Sequence, residues 1–359
     1  MNEFRPGDRV FHERFGLGTV QKVETQRRSQ LFHVAFDRDS EPTRPLNLRY
    51  NPLRPATTAD EVEAQRQTTP EFFSETFVQE QDDDRDSPGS HWTPFFDDGA
   101  REALLKLPEY LNAGLPQTGF GAMYPAPYKP PRDWPVGLIY SWPIRNEGVQ
   151  VVVRAGAANT VKSVFPFSAL GTQHTLRLDK VHVHKNGVQA QIEGALGPAI
   201  VRFFDSRYLI DRAWYRKGET YEFVLCGLAY ECRCAETQEF EVKQSAEVLA
   251  KLREHFADEP EIMKVSTAGM AALLPVEDWG EDDWDFRGPV KSVKETRFLD
   301  QPAWRLRVTV MRQEQDIDLE ILVTGRAWKS PSAPVVGEDV EGRLWLQGTL
   351  WHAHAWHKP

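Results

Sequence analysis

Two residue pairs in this sequence have spacings that metal chemistry could use: His182-x-His184 and Cys232-x-Cys234. On an extended strand alternate side chains share a face, so each pair presents two ligands on one side. Two such strands side by side would furnish a tetrahedral Cys2His2 zinc site, and a metal-dependent enzyme or a zinc-stabilised domain is one reading of the chain. The plain alternative is that all four are half-buried packing residues, since strand alternation puts any two like residues on one face. His352, His354 and His357 read either as a chelating cluster or as a simple tail.

Other chemistry is harder to assemble. The run Glu277 to Asp285 is rich in carboxylates but lacks the alternate oxygen ligands and closing glutamate of a calcium loop. With Trp279 and Trp284 it reads as a solvated loop or as an acidic, aromatic contact for a basic partner. Asp316 and Asp318 are a carboxylate pair at strand spacing, common on solvent faces. The sequence contains neither a Gly-x-x-x-x-Gly-Lys-Ser/Thr loop nor a Gly-x-Ser-x-Gly elbow. These patterns lead to the expectation of a non-enzymatic protein without a cofactor.

Binding surfaces offer more. Arg202, Arg207, Arg212, Arg216 and Lys217 cluster in sequence around Trp214, the composition of a groove in which bases stack and phosphates meet cations. Core packing is the competing role for the aromatics, which dominate the energetics of small barrels. The formal net charge of -10 argues against a surface that grips a phosphate backbone throughout. Charge is uneven, however: residues 1–60 hold ten Lys and Arg against eight Asp and Glu, and residues 61–102 hold three against twelve. Any nucleic-acid contact near the start of the chain is therefore confined to the first module.

The elements that must position these residues are mostly strands. The 359 residues allow two or three domains, and the pattern is mainly β with a few short helices. Residues 1–56 read as an SH3-like barrel and 57–96 as an acidic linker, with Phe72, Phe73 and Phe77 able to dock as a short helix. Residues 97–135 read as a helix (Asp97 to Asn112, kinked or ended at Pro108) followed by a proline and aromatic arm. Residues 136–240 form a β-rich, OB-like domain with strands at 150–153, 175–183, 189–193, 199–204 and 220–234, and Asn186-Gly187 signals a type I′ hairpin. Ser245 to Phe256 is a capped helix within a connector at 241–262. Residues 263–359 are a second OB-like domain, with strands at 288–298, 303–311, 316–323 and 337–351. Gly218 to Leu225 corresponds to Gly337 to Leu344, so a diverged duplication is one reading, against unrelated domains or one composite sheet.

The first fifty residues carry the most specific pattern. Gly7-Asp8-Arg9-Val10, His12, Phe15-Gly16, Gly18-Thr19-Val20, the strand Val34-Ala35-Phe36, and Leu48-Arg49-Tyr50 with Leu53 form short strands and tight turns, closed by a strand at 46–53. This stretch, about one sixth of the chain, resembles the Tudor-like domain of UvrD and PcrA type helicases and, more loosely, the RNA-polymerase-interacting domain of CarD-type proteins. The resemblance implies a bacterial module that docks on RNA polymerase or another nucleic-acid-processing machine, with Arg9, His12, Phe15, Arg49 and Tyr50 as candidate partner-binding residues. The helicase motor is missing, and the module stands first instead of last. Three cysteines are too few for a disulfide framework, and no apolar stretch is long enough to span a membrane, so a cytoplasmic protein is expected.

Overall fold

A computed structural model describes residues 4–12, 15–26, 29–37, 43–48, 52–58, 60, 90–117, 134–243, 245, 249, 262–276, 279–313 and 315–351. The chain is mainly β with few, short helices, as its alternating pattern dictates. Among the described residues no helix is long and apolar enough to cross a membrane.

The N-terminal module is a five-stranded antiparallel sheet of β1 (Arg9–His12), β2 (Gly16–Gln26), β3 (Ser29–Phe36), β4 (Arg44–Leu46) and β5 (Arg54–Pro55). Its order is β4-β3-β2-β1-β5. Alternate residues Val10, Val20, Phe32, Val34 and Phe36 point inward and, with Phe4 and Leu46, form a separate core. The closing strand differs from expectation: Arg54–Pro55, not residues 46–53, pairs with β1 at Phe11 and Val10. Proline suits this edge position, where it removes no ladder bond from a second neighbour.

Two short helices follow residue 90, α1 (Ala100–Leu105) and α2 (Leu107–Ala113). Pro108 occupies the first turn of α2, where its missing N–H costs nothing, and of the kink or end expected there the structure shows a break between two helices just ahead of it. They cover one face of a four-stranded sheet of β6 (Leu115–Gln117), β7 (Gly137–Ile144), β8 (Glu147–Arg154) and β9 (Thr160–Ser168). Both faces of β8 are buried, which explains an unbroken Val151-Val152-Val153 where alternation would otherwise appear.

The remaining strands form the body. They are β10 (Thr172–Val183), β11 (Ala190–Leu196), β12 (Ala199–Asp205), β13 (Thr220–Cys234), a separate ribbon of β14 (Glu239–Lys243) and β15 (Ile262–Ser266), then β16 (Ala272–Pro275), β17 (Asp283–Phe298), β18 (Gln301–Met311), β19 (Ile317–Thr324) and β20 (Asp339–Leu350). A third helix, α3 (Tyr208–Asp211), lies between β12 and β13. One nine-stranded sheet runs β10-β11-β12-β20-β13-β19-β18-β17-β16 and closes on itself twice, through β10–β13 and β17–β20.

The two closures make two five-stranded barrels that share their central pair. In the first, β12 runs parallel to β20 at Phe204 and Asp205; in the second, β19 runs parallel to β13 from Glu320 to Leu322. Each barrel thus has the OB-type connectivity read from sequence, but its fifth strand is the fourth strand of the other unit. The units are not two self-contained domains split at residues 240 and 263. They interlock.

The repeat extends to backbone detail. Gly218 N–H donates to the Leu178 carbonyl at 2.6 Å and Leu178 N–H to that of Glu219 at 2.9 Å; Gly337, Val290 and Glu338 repeat the pattern at 2.9 Å for both bonds. Both glycines hold positive φ, 81° and 91°, a region that suits glycine, and a bulge follows Leu178 and Val290 alike. At Asn186-Gly187 the expected two-residue turn is instead a six-residue connection, in which Asn186 Oδ1 accepts the N–H groups of Val188 and Gln189.

The linker phenylalanines, most of the proline and aromatic arm, nearly all of the helix at 245–256 and the terminal histidines lie outside the described residues. Because the central pair serves both barrels, Leu346→Ala at a fully buried position of β20 should cost about 2–5 kcal/mol. Far-UV circular dichroism and tryptophan fluorescence should report one shifted transition for the whole body, not the loss of one barrel ahead of the other.

Candidate docking surface and buried polar clusters

In the N-terminal sheet the strand ends bring aromatic and cationic side chains together. His12 is buried, stacks on Phe15 with centroids 4.7 Å apart, and accepts the Phe15 N–H through Nδ1 at 3.3 Å. It therefore shapes the turn instead of facing a partner, which corrects the sequence assignment. Phe15 is half-buried against Phe36 at 5.1 Å, with the Arg44 guanidinium 5.0 Å from its ring. Arg9 donates to both carboxylate oxygens of Asp37 at 2.8 and 2.6 Å and to Thr19 Oγ1 at 3.0 Å. Arg49 and Tyr50 lie outside the described residues.

Sequence reasoning missed a second pair on this surface. Phe11 on β1 faces Arg54 on β5, whose guanidinium lies 4.2 Å from the ring centroid. Arg54 also holds Asp60 in a bidentate pair at 2.5 and 2.6 Å. That guanidinium, followed by the Thr57 hydroxyl and N–H, holds the half-buried Asp60 carboxyl well below the usual range. The only available signal was the cross-strand register, which requires knowing the true closing strand.

The basic cluster of the body is largely occupied internally. Arg202 pairs with Glu193 at 2.5 Å and also with Glu281. Arg207 is buried, donating to Asp211 at 3.1 Å and to Gln117 at 3.0 Å. Arg212 is buried as well, stacked on Trp134 at 4.5 Å and bonded to the carbonyls of Pro135 and Gly187. Trp214 packs against the body core. Arg216 is half-buried and Lys217 exposed, both ahead of β13. Guanidinium groups already paired inside the protein exchange their partners for phosphates only at a cost, which weighs against Arg202, Arg207 and Arg212 as phosphate contacts.

The proposed zinc ligands are separated. β10 pairs with β13 from Thr172↔Leu225 to Arg177↔Thr220, antiparallel, so His182 runs on past one end of this pairing and Cys232 past the other. His182 bonds instead to Glu193 at 3.1 Å, and Cys232 is buried beside Trp328. Burial pushes the Cys232 thiol up, away from the thiolate a metal needs. Among the described residues no three His, Cys, Asp or Glu side chains converge on a metal position.

Two acidic clusters went unrecognised as buried. Asp205, at the end of β12, accepts the Tyr215 hydroxyl at 2.5 Å and the Arg207 N–H at 2.9 Å. Burial, with the nearby Asp211 charge, pushes its carboxyl up to about 7. Around Asp283 the acidic run folds inward: the Trp345 indole donates to Asp282 at 2.9 Å, the Tyr230 hydroxyl to Asp283 at 2.5 Å, and the Gly280 N–H to Asp283 at 3.0 Å. His91 joins from a 3-10 turn (Ser90–Trp92), stacked on Trp345 at 3.9 Å. Among the described carboxylates of this run, Asp285 and Glu281 face outward, paired with Arg343 and Arg202. No family model, curated protein or solved structure matches this chain.

The raised Asp205 carboxyl makes stability depend on pH with a definite sign. Between the unfolded value near 3.8 and the folded value of about 7 the folded state binds more protons, so stability falls as pH rises through that window. Urea titrations at pH 5 and pH 7.5 should show this loss, and Asp205→Asn should reduce it.

Proposed function

We propose that the chain is a non-enzymatic adaptor whose N-terminal barrel docks on RNA polymerase or on another machine that processes nucleic acid. The observation that carries this reading is the state of the N-terminal module's surface. The cations Arg9, Lys22 and Arg54 each pair with a carboxylate of the same module, Asp37, Glu24 and Asp60. Phe11 and Phe15 remain half-exposed beside guanidinium groups. Compensated charge gives little counterion release on a phosphate backbone. Aromatic rings flanked by arginine are the side chains that anchor protein interfaces. The module's Tudor-like sequence pattern supports the same partner class.

The OB-type barrels invite a second reading, single-strand binding by the body. That reading is weaker, because Arg202, Arg207 and Arg212 are held by internal partners.

The test is retention of purified bacterial RNA polymerase on immobilised full-length protein. The full chain should retain it and a chain lacking residues 1–57 should not. Phe11→Ala combined with Arg54→Ala should weaken binding about tenfold, roughly 1.4 kcal/mol, with an unchanged circular dichroism spectrum. Absence of polymerase retention, together with an interactome indifferent to the deletion, would sink the proposal.

A further inference from the structure

Three titratable side chains from distant parts of the sequence meet at Tyr230. Its hydroxyl lies 2.5 Å from Asp283 Oδ1 and also contacts His91 Nδ1. Asp283 is fixed from the other side by the Gly280 N–H at 3.0 Å. His91 is held flat by Trp345, the two rings inclined by only 6°. Asp283 and His91 are 3 % and 7 % exposed, so both must satisfy their hydrogen bonds within the protein.

A phenol carries one proton and here has two neighbours, so donating to one requires accepting from the other. With Asp283 ionised, Tyr230 donates to the carboxylate and His91 Nδ1–H donates to Tyr230. With Asp283 protonated, the carboxyl donates to Tyr230, Tyr230 donates to His91 Nδ1, and the imidazole proton sits on Nε2. We propose that Asp283, Tyr230 and His91 form a proton relay, in which one proton gained or lost reverses both hydrogen bonds and switches the His91 tautomer. On deprotonation the carboxyl proton moves to the Tyr230 oxygen, the phenol proton to His91 Nδ1, and the Nε2 proton leaves.

The surrounding groups set where this occurs. Asp283 faces the Asp282 carboxyl on its own strand turn, Tyr230 on β13 and Arg343 on β20, the last already paired with Asp285 at 2.8 Å. Burial, then the Asp282 charge, pushes the Asp283 carboxyl up to about 7. His91 faces Tyr230 and, at longer range, His184; burial lowers it to about 3. The ring therefore stays neutral near pH 7, and its tautomer changes while its charge does not. His91 opens the segment that carries Trp92, Phe95 and Phe96 into the core beneath the four-stranded sheet, so the relay ties that segment's attachment to proton activity.

The test is nitrogen-15 NMR of histidine-labelled full-length protein from pH 5.5 to 8.5. His91 should pass from the Nε2–H form at low pH to the Nδ1–H form at high pH without a doubly protonated stage. Asp283→Asn and Tyr230→Phe should each leave the ring nitrogens independent of pH. An ordinary imidazolium titration, or one fixed tautomer throughout in the unaltered protein, would overturn the relay. The unaltered protein decides the matter even where a variant fails to fold.

Discussion

The antiparallel pairing of β13 with β20 is the constraint on which the body depends. It runs from Phe223↔Leu350 to Cys234↔Val340, and both strands then turn their other edges to strands of the opposite barrel. Neither barrel is complete without it. The inward residues of this pair, Leu225, Ala229, Leu344 and Leu346, belong to one continuous core that reaches both barrels. Its outward residues, Leu228 and Trp345, anchor the second core under the four-stranded sheet. One ladder thus fixes three layers.

Polar burial follows from the same geometry. Where the four-stranded sheet and the body meet, backbone and side-chain polar groups lose water and must find partners in the protein. Arg305 answers this at one point, between Glu147 of β8 and Glu320 of β19. Gln347 does so at another, donating to the Pro166 carbonyl at 2.8 Å and accepting the Ser168 N–H at 3.2 Å. These contacts specify how the sheet seats, because an apolar junction alone would tolerate sliding.

Much of this fold was legible in the sequence because it is local. Strand alternation placed β13 at Thr220 to Cys234, the bounds it has, and the Gly218 and Gly337 turns signalled a repeat whose hydrogen bonds match. Strand exchange was not legible, since Phe204 against Gln347 is a pairing across more than a hundred residues that leaves no periodic trace. The same limit misled the search for sites. Spacing can put His182 and His184 on one face, but only register decides whether that face meets Cys232. Composition marks Arg207 as a cation, but only tertiary contact reveals that Asp211 and Gln117 hold it. His91 and Asp283 lie almost two hundred residues apart, so no local motif could join them.

The reciprocal strand exchange also bears on how the body persists at low abundance. A lone four-stranded unit of this kind would find its fifth strand only on another molecule, and its closure would depend on protein concentration. Joining two units in one chain turns that encounter into an intramolecular event with a high effective concentration. A barrel pair built this way remains closed however dilute the protein becomes.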